Sequence, residues 1–260
     1  MPQLKPPPKR KQIMELSNNT VLITGGGSGI GLAFAERFVN AGSEVIICGR
    51  REKTLAQAKE RVSALRTYVC DLADASERVK LFQWATSQFP RLNVLVNNAG
   101  IQRRVSLLEP EEWNETQREL AINLEAPIHL CQLFIPYLRE QTKPAIMNVS
   151  SGLAFAPFTA APIYSATKAA LHSFTLTLRQ QLLQTPIEVV EVIPPAVNTD
   201  LGGVGLHNFG APLDDFADDI IQRLSKGEQE IAYGTAQERS RASRDELDAY
   251  FAQMNKQTGS

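Results

Sequence analysis

The chain has 260 residues, 43% of them hydrophobic and 21% charged, an ordinary globular balance that excludes a disordered chain and supplies apolar surface for one sizeable core. Its 27 basic and 28 acidic residues leave a net charge of −1, so no field gathers nucleic acid or an anionic membrane surface, and a small-molecule substrate is the expected partner. The cysteines Cys48, Cys70 and Cys131 lack disulfide or metal-ligand spacing, and no apolar run is long enough to span a membrane.

In chain order, residues 1–17 read as a flexible, basic and proline-rich leader without the apolar run of a secretory signal, and Met14 is an alternative natural start. Lys9, Arg10 and Lys11 are too short a cluster to carry a nuclear-import reading, and with reduced cysteines the expected location is the cytoplasm. Residues 18–260 then read as a single domain. Apolar, β-branched runs at 21–24, 45–48, 67–70, 94–96, 146–149 and 188–193 alternate with amphipathic, helix-length segments, which is a βαβ rhythm. Strands apolar at consecutive positions expect cover on both faces, so the predicted fold is a three-layer, doubly wound α/β fold with a mostly parallel sheet.

The first helix is expected to open near Gly29, carry Ile30, Phe34 and Phe38 on one face and stop at Gly42. A long helix is expected from Tyr164 to Gln184, ended by Pro186. A Gly- and Pro-rich stretch near 195–213 reads as a substrate loop and mobile lid, followed by a helix over 214–226 and a short strand over 230–233, which brings the expected sheet to about seven strands. Near 237–257, Leu247, Tyr250, Phe251 and Met254 recur at helical spacing and predict a helix that docks on the body.

Directly after the first strand comes TGGGSGIG, with Gly25, Gly29 and Gly31 where strand turns into helix. Glycine there permits backbone angles that other residues resist and leaves room for a dinucleotide's phosphates, which the helix amino-terminus then meets with free N–H groups. The spacing resembles the TGxxxGxG turn of the short-chain dehydrogenase/reductase family, and further matches follow in order. They are Asp71 and Leu72 in CDLAD, the NNAG of Asn97, Asn98, Ala99 and Gly100, Asn123, Ser151 at the end of NVSS, and the YxxxK pair Tyr164 and Lys168. The resemblance runs from Val21 to Thr199. It implies a Rossmann-type fold, an NAD(P)-dependent oxidoreductase acting on a carbonyl or secondary alcohol, and a homodimer or homotetramer. The stretches NNAGIQR and IPPAVNTDLGG look like a bacterial subgroup linked to D-alanine esterification of teichoic acids, which names no substrate.

By that resemblance the cofactor is held by Thr24, Gly25, Ser28, Gly29, Ile30, Gly31, Asp71, Leu72, Asn98, Ala99, Gly100, Pro194, Val197 and Thr199, together with Tyr164 and Lys168. At the end of the second strand, where a carboxylate would bind the ribose 2′-OH of NAD, stands Gly49, followed by Arg50 and Arg51. A guanidinium there can pair with a 2′-phosphate, so NADP(H) is favoured, with NAD(H) possible because Ser28 replaces a Lys or Arg that many NADP-preferring relatives carry.

Hydride transfer to a carbonyl leaves negative charge on oxygen and needs a proton donor, for which Tyr164 serves. Lys168, four residues on, shares its helix face, and the expected effect of the ammonium is a more acidic phenol. Ser151 is expected to hold the substrate oxygen, and Asn123 a water near Lys168, as the resemblance implies. Pro194-Pro195 replaces the family's Pro-Gly and stiffens the loop that follows. His129, His172 and His207 show no ligand spacing, so no metal is assigned and packing or surface roles are expected; Trp84 and Trp113 read as packing anchors. Residues 101–112, Leu153, Phe155, Phe158 and the 202–209 loop are candidates for the substrate pocket. Outside catalysis, the alternative is a dinucleotide-binding sensor or scaffold.

Overall fold

The structure, a computed structural model, describes residues 14–256. Residues 1–13 of the expected leader, and residue 257 of the expected terminal helix, lie outside the described residues. Met14 is buried at 4% exposure and Leu16 packs beside the same core, so packed chain begins before the boundary expected at residue 18.

Strands β1 (Thr20–Thr24), β2 (Glu44–Gly49), β3 (Arg66–Val69), β4 (Val94–Asn97), β5 (Ala145–Val149), β6 (Glu188–Ile193) and β7 (Glu230–Ala232) form a seven-stranded sheet in the order β3-β2-β1-β4-β5-β6-β7. Every pairing is parallel. The helices are α1 (Gly29–Asn40), α2 (Glu52–Arg61), α3 (Ala75–Gln88), α4 (Trp113–Leu120), α5 (Ala126–Leu138), α6 (Pro162–Gln181), α7 (Leu213–Leu224), α8 (Thr235–Arg239) and α9 (Arg244–Asn255).

The pleat explains why the strands are apolar at consecutive positions. Val21, Ile23, Val45, Ile47, Val94 and Val96 face one layer with Phe34 and Phe38 of α1 and Phe216 of α7. Their neighbours Leu22, Ile46, Leu95 and Ile146 face the opposite layer with Phe134 of α5 and Leu178 of α6. Each fully buried Phe contributes about 1.5–3 kcal/mol, so these rings hold both helical layers on the sheet. From β1 the chain winds outward to β3, then returns to β4 and winds the other way. Connections therefore diverge above the carboxyl ends of β1 and β4, and a crevice opens there.

Two expectations change in detail. The long helix ends at Gln181, and a turn over 182–187 closed by the Thr185 hydroxyl, which donates to Leu182 O at 2.8 Å, precedes β6. The C-terminal segment is two helices, because Ser243 and Glu246 form a capping box that starts α9 anew. No residue of α9 is buried, and Phe251 is 40% exposed. Its docking is polar: Asn255 accepts from Thr159 N and Oγ1 at 2.8 Å each and donates to Pro157 O at 3.1 Å.

Candidate functional site

The crevice starts with the glycine turn. Gly25 leaves β1 at φ +64°, and a Cβ there would lie 2.8 Å from Ala99 Cα; a Cβ on Gly31 would lie 2.5 Å from both Gly25 O and Asn98 Nδ2. Side chains are thus excluded at both positions. Ser28 caps α1 without a side-chain hydrogen bond, so the first-turn N–H groups, which no helix satisfies internally, remain for an anion. A cradle this tight, opening on a helix N-terminus, fits a dinucleotide's pyrophosphate. Ile30 packs against the core beneath it, and Thr199 lies above, its Cγ2 at 3.4 Å from where a Gly29 Cβ would be.

Thr24 and Asn98 tie the floor together. The Thr24 hydroxyl donates to Val96 O at 3.2 Å and accepts from Asn98 N at 3.0 Å and Ala99 N at 3.1 Å, while Asn98 Nδ2 donates to Thr24 O at 2.9 Å. At the crevice edge Arg50 and Arg51 follow β2, both exposed, with Arg51 in the cap position of α2. Asp71 is half-buried and Leu72 buried. Burial works to raise the Asp71 carboxyl, but a hydrogen bond from Arg118 at 2.7 Å, another from Ala73 N at 3.1 Å and the charges of Arg118 and Arg50 hold it below the ordinary range. The Asp71–Arg118 ion pair was not anticipated from sequence.

On α6, Tyr164 and Lys168 are buried one turn apart, at 6% and 3% exposure. Ser151 follows β5 and opens a short 3₁₀ turn (Gly152–Ala154), its Oγ accepting from Leu153 N at 3.1 Å and lying in hydrogen-bond contact with the Tyr164 phenol. Lys168 Nζ donates to Val149 O at 2.8 Å and stands 5.5 Å from the centroid of the Tyr164 ring. The ammonium lies over the ring face. Burial, opposed by Ser151 and reinforced by the charge of Glu119, pushes the phenol up to about 12. Burial also lowers Lys168 to about 8, against the favourable charge of Glu191.

Asn123 falls in a π-helical turn (Ala121–Glu125) between α4 and α5, a distortion common at functional sites. Its side chain clamps Ile101 through N at 2.9 Å and O at 2.8 Å and reaches Thr167 Oγ1 at 3.3 Å. A Cβ on Gly100 would meet Asn123 Oδ1 at 3.5 Å and Lys168 Nζ at 3.7 Å, so the NNAG turn, Asn123 and Lys168 converge. Buried Pro194 accepts from Gly152 N at 2.8 Å, and Val197 bridges to Ala211.

Ser150 turns away from Ser151 and donates to Glu191 Oε1 at 2.5 Å. His172 Nδ1 lies 3.0 and 2.9 Å from the two Glu191 oxygens. Phe155, expected in the pocket, instead packs on His172 and Ala236. Trp84 packs on Tyr68 and Phe89, whereas Trp113 is 64% exposed. The cysteines are free and buried. Among the described residues no His, Cys, Asp or Glu cluster suits a metal, and no helix is long and apolar enough to cross a membrane.

Comparison with known proteins agrees with this geometry. Residues 19–204 match the family described as short chain dehydrogenase. A Bacillus subtilis (strain 168) protein named Uncharacterized oxidoreductase DltE is 46% identical over 250 residues, covering 94% of this chain and 99% of its own. A short-chain dehydrogenase from Sphingobium yanoikuyae, solved with NADPH, superposes with a TM-score of 0.75 at 25% identity over 89% of this chain and 92% of its own. A 3-ketoacyl-(acyl-carrier-protein) reductase from Brucella melitensis, solved with NADH, gives 0.74 at 28% identity over 84% and 97%.

Proposed function

The chain belongs to the short-chain dehydrogenase family and is an oxidoreductase, and from that premise we propose that it reduces a ketone or aldehyde with NADPH, Tyr164 acting as the general acid. The observation that carries this reading is the convergence of Tyr164, Ser151, Lys168 and Asn123 beside the glycine cradle. The nicotinamide cofactor, when bound, supplies the hydride. Gly25, Gly29, Gly31 and the first turn of α1 would hold its pyrophosphate, Thr199 and Val197 would cover it, and Arg50 with Arg51 would pair with a 2′-phosphate.

A phenol held at about 12 keeps its proton at neutral pH. Tyr164 thus carries a proton to give to the alkoxide that develops beside it. Ser151, already bonded to the phenol, would hold the carbonyl oxygen against it. Lys168 stabilises the phenolate left behind, and Asn123 fixes the Ile101 backbone so that the cleft wall keeps its place. An apolar rim of Leu107, Leu108, Val204 and Phe209, all strongly exposed, supports a substrate with an apolar body. The product is a secondary or primary alcohol, and the working unit is a cytoplasmic homo-oligomer.

The test is turnover of a carbonyl panel with NADPH, beside NADPH fluorescence. Tyr164→Phe should lower kcat by 10³-fold or more while leaving NADPH affinity within twofold, because it removes the proton and little volume. Wild-type turnover in that variant would reject the role. NADPH binding with no turnover of any carbonyl by the wild type would favour a sensor.

A further inference from the structure

Glu191 is fully buried in the middle of β6, yet it is a carboxylate. Burial of such a group persists only where donors and opposite charge surround it. Three elements provide them: Ser150 from the end of β5 at 2.5 Å, His172 from α6 at 2.9 Å, and Lys168, one helical turn before His172. Lys168 is anchored to Val149 O, the residue next to Ser150, so its ammonium lies near the same strand end and feels the carboxylate's charge through space. His172 is the member that reaches outward, with 20% of its side chain exposed, while Glu191 has none.

We propose that Glu191 is the buried counter-charge that holds Lys168 as an oriented ammonium, and that His172 is the titrating cap through which solvent pH modulates that charge. Both are positioning residues, acting through Lys168 and touching neither substrate nor cofactor. The inference rests on the role given to Lys168 in the proposed function.

The charged groups facing this network are Lys168 and His172 from α6, with Arg179 of the same helix and Glu230 of β7 felt at His172. The hydrogen bond to Glu191 raises His172 above its ordinary value. Below this raised midpoint an imidazolium shares the carboxylate; above it the imidazole is neutral and the whole charge is left to Lys168. Support for the ammonium therefore grows as pH rises through the His172 titration.

The experiment is an NMR titration of the full chain labelled at lysine ¹³Cε, with Lys168 assigned by its loss in Lys168→Arg. In Glu191→Gln the Lys168 midpoint should fall by about one pH unit or more, a tenfold change in proton affinity. In His172→Gln the main midpoint should stay within a few tenths of a unit, and the smaller inflection on its acid side should vanish. An unmoved midpoint in Glu191→Gln overturns the proposal. If that variant does not fold, His172→Gln decides: loss of the acid-side inflection supports the proposal and its persistence overturns it. In turnover, the alkaline limb of kcat/KM should shift downward in Glu191→Gln, whereas an equal loss at every pH would mark a merely structural residue. The titration needs no substrate, so a chain that reduces no carbonyl would defeat the proposed function and leave this readout standing.

Discussion

Lys168, in the role proposed for it, would serve chemistry at the expense of stability. Its ammonium is buried, and burial lowers it from 10.5 to about 8, so the folded state disfavours the charge that the unfolded chain carries freely. The unfolded state binds more protons between those two values, and the penalty is therefore complete below about 8 and fades as pH rises towards 10.5. Measured against Lys168→Met, the wild type should therefore gain relative stability as pH rises from about 8 towards 10.5, and the variant should lose turnover; calorimetry at several pH values checks it. In the proposed function Arg50 is the corresponding residue for cofactor choice. Arg50→Ala should weaken NADPH by about 1.5–3 kcal/mol, roughly tenfold to a hundredfold, and leave NADH nearly unchanged, as fluorescence titration would read. Equal losses would overturn the preference. The glycines and the Tyr-Lys pair were readable because their spacing is itself the geometry. Glu191 and His172 were not, since nothing local in the sequence says that a strand residue and a helix residue nineteen positions earlier share a proton.

At the level of elements, apolar patterning located every strand to within a residue or two, because both faces of a doubly covered sheet must be apolar. The carboxyl-terminal break escaped that reasoning. Periodicity of Leu247, Tyr250, Phe251 and Met254 argued for one docked helix, but the S-x-x-E signal of Ser243 and Glu246 was available and marks the restart. Ser243→Ala should cost about 1 kcal/mol of stability and leave NADPH affinity alone, since α9 carries no buried residue and approaches the body through Asn255. Thermal melts beside cofactor titration distinguish that from a role at the site. The π turn at Asn123 was equally invisible to pattern: it depends on the tertiary clamp on Ile101, not on propensity.

For the whole molecule, the consequential feature is where the winding reverses. Reversal between β1 and β4 gathers the glycine turn, the NNAG turn, Ser151 and α6 at one edge of the sheet. Two segments overhang that edge and touch, as the Gly202 backbone lies against Gln102 O. Phe209, 80% exposed on the second segment, should matter for substrate and little for folding. Phe209→Ser should raise KM for an apolar ketone severalfold, with melting temperature and NADPH affinity unchanged; steady-state kinetics across ketones of increasing chain length checks it.

The adjacent pair Ser150 and Ser151 has one more implication. They are chemically identical, yet the pleat sends the first inward to a carboxylate and the second outward to a phenol. A one-residue deletion early in β5 would move Ser151 into the inward place of Ser150 and leave glycine beside the phenol, with the written motif intact. A descendant carrying such a frame change would pass inspection by eye and be dead in the test tube.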